Sequence, residues 1–444
     1  ASRHVSSERD PAGQVGFFLW GSVPEPYTYY RSIRMLRAGS HMLVTRAGPN
    51  GTHRHFSIAQ CWADACVASG PTPAPEQAQS VVRSALQQSV AHHMVADVPV
   101  SAFLSGGVDS GALVGLMTEQ GLQASTHAIT LSFAEFSGSH DDEVPLAAAV
   151  ARSYGVQHHV RRVDQSEFLE DLPEILASMD QPSVDGVNTW FVSKAASELG
   201  LKVAISGLGG DELFGGYSTF QEVPRYVQAM HWPSRVPGLG ERLRQASSPF
   251  LAYIPGAHPK LAGLAEYGGS LPGAYMLKRG LFMPWELEQV LPGEVVREGL
   301  RELALPDSLT QLMAPQPQTD WAKMAVLEAS QYMRNQLLRD ADWASMAHSV
   351  EVRVPLVDHA LLAALAPTIA RMRRVEGKRW LAMSPAHALP QHVRTRLKTG
   401  FSTPLESWMS QADLLDAWRR VPSLTHPGCP WARRFAYAIA RRLG

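Results

Sequence analysis

The sequence predicts an α/β fold: a parallel, doubly wound sheet with a helical C-terminal extension and a small β piece at the N-terminus. Three observations predict it. From Pro99 to about Gly216, apolar strand-like runs alternate with helical patterns, which is how a parallel sheet wrapped by helices reads in sequence. Two of the runs end in glycine-rich turns that lead into helix starts, at Ser105–Ser110 and at Gly207. From about residue 218 the pattern turns mainly helical, with Pro/Gly-rich connectors between 232 and 273.

Bulk composition sets the limits. A chain of 444 residues exceeds one ordinary compact core, so two domains or a large α/β domain are expected. Its 45% hydrophobic and 18% charged content is that of a globular protein with ample core. A net charge of -1 leaves no electrostatic footprint for nucleic acid. Three cysteines, Cys61, Cys66 and Cys429, are too few for a disulfide framework or a four-thiolate zinc site, so buried free thiols and a reducing cytoplasm are expected. No apolar run approaches the roughly 18 residues of a membrane span, and the polar first residues do not form a signal peptide. The oligomeric state is left open.

The elements follow in order. Residues 1–70 read as a turn-rich β piece, with short runs at Gly16–Trp20, His41–Thr45 and Arg54–Ile58. Ser69–Pro75, rich in Pro, is the clearest linker. Val82, Leu86, Val90 and Met94 recur every four residues, which predicts an amphipathic helix. Expected strands are Val100–Leu104, His127–Phe133, His158–Val163 and Lys202–Ser206. Expected helices include 110–119, 143–154 and 190–199, the first two closed by Gly121 and Gly155. In such a sheet ligands sit at the carboxyl ends of the strands, where both glycine turns fall.

The first turn is Ser105-Gly-Gly-Val-Asp-Ser110. Gly106 and Gly107 let the backbone aim N–H groups at one anion, and the helix that follows adds its dipole. Ser105 and Ser110 bring hydroxyl donors. Asp109 is badly placed to bind phosphate directly, but a carboxylate beside phosphates can hold Mg²⁺. No Gly-Lys-Ser/Thr follows, so this is not a P-loop. The second turn is Ser206-Gly-Leu-Gly-Gly-Asp-Glu-Leu-Phe-Gly-Gly-Tyr217. Five glycines in twelve residues imply that backbone passes close to a ligand, and Asp211 becomes a second metal carboxylate facing Asp109.

The first loop resembles the pyrophosphate loop of the ATP pyrophosphatases. Together the two motifs resemble the synthetase domain of the asparagine synthetase B family. A third block, Arg339–Asp358, and a fourth, Arg396–Pro404 with Gly377-Lys378 just upstream, agree. The similarity runs from about 76 to 420, which makes 76–444 the amide-forming domain, with the sheet of the adenine nucleotide hydrolase type. In that family a carboxylate attacks the α-phosphate of ATP, and an amine then displaces AMP. The resemblance implies ATP and Mg²⁺, with Asp109 and Asp211 as metal carboxylates and Lys398 as the lysine on the phosphates. It implies that Ser105, Gly106, Gly107 and Ser110 form the pyrophosphate loop, and that Leu104, Ile129, Ser206 and Gly207 lie against the adenosine. In the third block, Ser345, Met346 and Ala347 would pack a helix against the nucleotide cleft. Glu351 and Arg353 would be buried pairing residues, while Asp340 and Asp342 cap or pair locally.

Two departures shape the expectation. The family's N-terminal half is a glutaminase with an N-terminal cysteine nucleophile, whereas Ala1 stands first here and Val15–Val44 resembles only that domain's last strands. Residues 1–70 are therefore expected to be a glutaminase-type remnant, with ammonia or another amine supplied freely or by a separate glutaminase. Asparagine synthetases usually read Ser-Gly-Glu-Gly in the second motif, where this chain has Leu208. Aspartate remains the favoured carboxylate, with a sugar acid, a peptide side chain or an intramolecular ring closure as alternatives. A non-catalytic partner is the rival of a different class. The stretch Asp180–Asn188 either lines a substrate pocket through Asp180, Gln181, Asp185 and Asn188 or is an ordinary turn-rich loop.

Overall fold

Strand β3 (Val100–Phe103) is the pivot of the molecule, because the chain leaves it in one direction and returns to its other side. The computed structural model describes residues 4–68, 70–122, 126–236, 238–251, 259–372, 377–396, 403–426 and 428–442. Beside β3 lie β4 (His127–Phe133) and then β5 (Gln157–Val163) on one flank. On the other lie β6 (Val203–Ile205) and β7 (Glu351–Arg353), so the order is β5-β4-β3-β6-β7. All neighbours are parallel, with Val100 level with Val203 and Ala102 with both Ile205 and Ala128. The reversal of direction between β3 and β6 is a topological switch point, where α/β sheets bind their ligands.

The connecting helices form where their patterns and caps place them. Helix α3 (Pro75–His93) buries Val82, Leu86 and Val90. Helix α4 (Val108–Met117) follows β3, α5 (Val144–Tyr154) is closed by Gly155 in the left-handed region, and α7 (Val187–Glu198) precedes β6. Between α5 and α7 runs α6 (Gln165–Ser178), capped by the Asp164 carboxylate accepting from Glu167 N–H. Helix α8 (Gly210–Phe214) leaves β6, and residues 219–442 are then mainly helical.

Several expectations fail locally. Gly16–Trp20 is not a strand but the second half of helix α1 (Pro11–Trp20), wholly buried. An apolar run of five cannot by itself separate strand from buried helix. The deciding signals are an N-cap, Asp10, which accepts from Gly13 N–H at 2.9 Å, Pro11 at the first helical position, and Gly21 closing the helix at φ 81°. Arg54–Ile58 is no strand either: β2 (Gly48–Arg54), paired with β1 (Ser40–Thr45), ends there, and helix α2 (Ile58–Val67) begins. Cys61 and Cys66 are only half-buried, though both are free thiols, as is buried Cys429. Strand β7 was not expected at all. On it Glu351 and Arg353 share a face and pair at 2.7 Å, and Glu351 is exposed rather than buried. Met346 and Ala347 are likewise exposed, and only Ser345 of that trio is buried. Among the described residues no helix is long and apolar enough to cross a membrane.

Candidate active site

Two glycine turns at adjacent strand ends build the site. From β3 the chain passes through Ser105–Gly107 into α4, and from β6 through Ser206–Gly209 into α8. The first turn is stapled by its own hydroxyls. Ser110 Oγ accepts from Ser105 N–H at 3.1 Å and donates to the Ser105 carbonyl at 3.2 Å, and Gly107 N–H donates to Ser105 Oγ at 3.2 Å. The second turn presses against the first. A Cβ on Gly210 would lie 2.6 Å from Asp109 Cγ, and one on Gly207 would lie 2.9 Å from the Ser110 nitrogen. Only glycine lets the two turns approach so closely.

Asp109 and Asp211 each stand in the first turn of a helix, where the dipole favours an acid. Both carboxylates converge on the Lys378 ammonium, which bonds both oxygens of Asp109 and lies 2.7 Å from Asp211 Oδ1. Burial pulls the Lys378 pKa down, but the two carboxylates outweigh it and hold it above the ordinary lysine value. The lysine is therefore a fixed positive charge at neutral pH.

Around this triad opens a cleft of about 430 Å³, within the range of small-molecule sites. Leu104, Ser105, Gly106, Gly107, Ser110, Ile129, Ser206 and Gly207 all line it, together with Asp109 and Asp211. Leu104 N–H donates to the Ile129 carbonyl at 2.8 Å, and its own carbonyl accepts from Thr130 Oγ1 at 2.7 Å, so both its main-chain groups are engaged in the sheet. Arg394 and Arg396 enter from the loop side. Arg396 lies across the first turn, where a Cβ on Gly106 would come within 2.6 Å of its Nη1.

The rest of the lining is acidic and aromatic. Asp185 and Asn188 belong to it, at the start of α7, with Asp340, Glu212, Tyr217 and Tyr332. Asp340 accepts from Ser183 Oγ and from Trp343 Nε1, each at 2.8 Å. Burial, and then the neighbouring Asp185, push its pKa up to about 8, while burial raises Asp185 as well. Two crowded, buried carboxylates disfavour each other's ionisation. Burial and Asp211 lift Glu212 to about 7, and Tyr217 donates to it at 2.8 Å. Behind the wall Arg279 lies over the rings of Tyr217 and Tyr332 at 4.2 and 4.0 Å and pairs with buried Glu328 at 2.9 Å.

Asp180 and Gln181 do not reach the cleft. They border a small depression on its far side, with Arg339 and Asp342. Gln181 Oε1 accepts from Tyr29 N–H at 2.7 Å, and Ser183 bridges to Ser22. The first half of that loop thus holds the N-terminal segment. Lys398 lies outside the described residues.

This stapled glycine turn, with two acids and a lysine gathered across a β3/β6 switch point, agrees with the family match: the asparagine synthase model covers residues 81–426. The chain belongs to the asparagine synthase family. A Mycobacterium bovis protein, provisionally named a glutamine-hydrolyzing asparagine synthetase, is 30% identical over 89% of this chain and 58% of its own length. Asparagine synthetase [glutamine-hydrolyzing] 1 of Bacillus subtilis is 26% identical over 90% of this chain and 59% of its own length. Amidase chyE of Penicillium rubens is 25% identical over 76% of this chain and 52% of its own length. The chain thus spans less than two thirds of the length of these relatives. Among solved structures, NMN synthetase of Francisella tularensis aligns at 12% identity over 62% of this chain and 95% of its own, with a TM-score of 0.23, too distant to bear on activity.

Of the residues lining the cleft, the sequence marked Lys378 only as part of a matching block, Asp340 only as a local cap or pair and Tyr217 only as the end of the second motif, and it did not single out Tyr332. Lys378 opens a short helix, Lys378–Ala382, where the dipole disfavours a cation, and that misfit was the available signal. Asp340 shares the buried side of its helix with Ala341 and Ala344, an acid at a core position. Tyr332 sits in a π-helical stretch, Glu328–Leu337, of a kind frequent at functional sites, which its sequence does not announce.

Proposed function

We propose that this chain is an ATP-dependent, amide-forming ligase. A carboxylate oxygen attacks the α-phosphorus, the bond to the β-phosphate oxygen breaks, and pyrophosphate leaves. An amine then attacks the acyl carbon of the adenylate, AMP departs, and the amine gives up a proton. The observation that carries this reading is the convergence of Asp109 and Asp211 on Lys378 beside the glycine turn. Joining two anions requires positive charge at the phosphates, and Lys378 and Arg396 bring it to the glycine turn. Two carboxylates drawn to one cation are hard oxygen donors of the kind Mg²⁺ takes. Asp109 and Asp211 would hold it, and when bound it would neutralise phosphate oxygens. Lys398, by the family pattern, is proposed as a further cation on the phosphates.

Asparagine from aspartate and ammonia is the leading product. Residues 1–70 are proposed as a glutaminase-type remnant, with the amine arriving free or from a separate glutaminase. A different carboxylate is the second reading, and Leu208 in the cleft wall favours it. So does the placement of charge: among the described lining residues the cations are Lys378, Arg394 and Arg396, while the rest of the lining offers Asp185 and Asp340. Free aspartate needs a cation for its second carboxylate, and that part of the lining supplies acids. Asp109→Asn is expected to abolish pyrophosphate release in a folded protein. Unchanged release would remove the ligase reading.

A further inference from the structure

We propose that the β1–β2 hairpin is a docking edge for an acidic, extended polypeptide segment that adds to β1 as a third strand. Among the described residues the hairpin has no third strand. Every residue of β1 and β2 after the first is exposed, and Met42, Leu43 and Val44 show 41%, 61% and 64% of their surface. A two-stranded ribbon open on both faces buries too little to be stable by itself. Proteins ordinarily blunt such edges, and β2 is blunted: Pro49 lacks an N–H, Gly48 and Gly51 stand near it, and the ladder slips in register between Met42 and Val44. Strand β1, Ser40-His-Met-Leu-Val-Thr45, contains no Pro, Gly, Lys, Arg, Asp or Glu. Its outer edge therefore suits strand addition, in which main-chain bonds give affinity and alternate side chains give selectivity.

Charge identifies the occupant. Residues 26–63 hold five arginines (Arg31, Arg34, Arg37, Arg46 and Arg54), three histidines (His41, His53 and His55) and no Asp or Glu, in a chain of net charge -1. His41 stacks on His53 at 5.5 Å. Arg34 is paired with Asp10 and Arg31 with Glu8 and Glu298, but Arg37 and Arg46 stand on the exposed surface. At the hairpin base Arg37 and Arg54 crowd Arg334, whose carboxylate partner is Glu25 at 3.3 Å. A nucleic acid would answer the charge but not the exposed apolar side chains of Met42 and Val44 on one face of β1, or the open strand backbone. A segment alternating acidic and apolar side chains answers all three.

The test titrates three labelled probes into the chain: a peptide of about eight alternating Glu and Val residues, its Lys/Val counterpart, and a single-stranded oligonucleotide of equal charge. Expected are at least about ten-fold tighter binding of the Glu peptide than of either other probe, weakening in salt, and slowed hydrogen exchange at β1 amides. The double variant Leu43→Ser, Arg46→Glu should weaken binding about ten-fold or more, with circular dichroism and nucleotide turnover unchanged. Failure of the Glu peptide to bind, equal binding of the Lys peptide, preference for the oligonucleotide, or protection away from β1 would each overturn the proposal. A concentration-dependent dimer lost in the same variant would give the edge to a second copy and overturn it too.

Discussion

Lys378 decides how the glycine-turn end of the cleft behaves. Without it, Asp109 and Asp211 would face each other as like charges across a glycine turn too tight to yield. Lys378→Met should lower pyrophosphate release by about a hundred-fold or more, with the fold retained as judged by circular dichroism. A variant near full activity would mean that the lysine serves only the fold. Asp340 makes a second prediction, on pH. Burial and Asp185 push its pKa up to about 8 in the fold, well above the ordinary carboxylate value, so at neutral pH folding takes up a proton. A raised carboxyl pKa contributes stability fully below the unfolded value, and that contribution is lost as pH rises through the folded one. The Tm of the chain should therefore fall between about pH 5 and about pH 8, and Asp340→Asn, which does not titrate, should fall less. Parallel Tm curves would show that Asp340 holds no extra proton.

At the scale of elements, α1 ties the N-terminal segment to the remainder. Its carbonyls at Phe18 and Leu19 accept from Phe282 and Leu281, and a Cβ on Gly299 would lie 2.5 Å from the Pro11 carbonyl oxygen. Asp10 caps this helix and pairs with Arg34 at 2.7 Å. Asp10→Ala should cost about 1–2 kcal/mol in chemical denaturation, and a loss below the measurement error would place the helix start elsewhere. The same elements show what a sequence can reveal. Strands β3, β4 and β6 were legible because their residues are largely buried, leaving apolar runs bounded by turns; the edge strand β5 is mostly exposed or half-buried and buries only Val163. Strand β7 was not, since Glu351-Val-Arg353 has one apolar residue in three and is a strand only because Val203 and Ile205 lie beside it. Arg353 also donates to the carbonyls of His93 and Val95, closing the end of α3, a contact set by tertiary structure alone. Asp109 and Asp211 follow the glycine turns into the cleft, whereas Asp180 and Gln181 border the separate depression, and their loop reads alike on either side of its turn.

Over the whole molecule, the order β5-β4-β3-β6-β7 brings segments distant in sequence to one point: the turn at Ser105, the turn at Ser206, the helix start at Lys378 and the wall at Asp340. The cleft gathers Lys378, Arg394 and Arg396 with Asp109 and Asp211 at its glycine turns, and Asp185 and Asp340 elsewhere in its lining; on the proposed function the phosphates would lie at the turns. The most direct test follows the nucleotide. ATP, Mg²⁺, ammonium and a panel of carboxylates including L-aspartate are incubated with the chain, and the nucleotide products are identified by mass spectrometry. The account predicts AMP and pyrophosphate in equal amounts with at least one carboxylate, and asparagine if that carboxylate is aspartate. ADP with phosphate, or a folded chain that does not bind Mg·ATP, would contradict it.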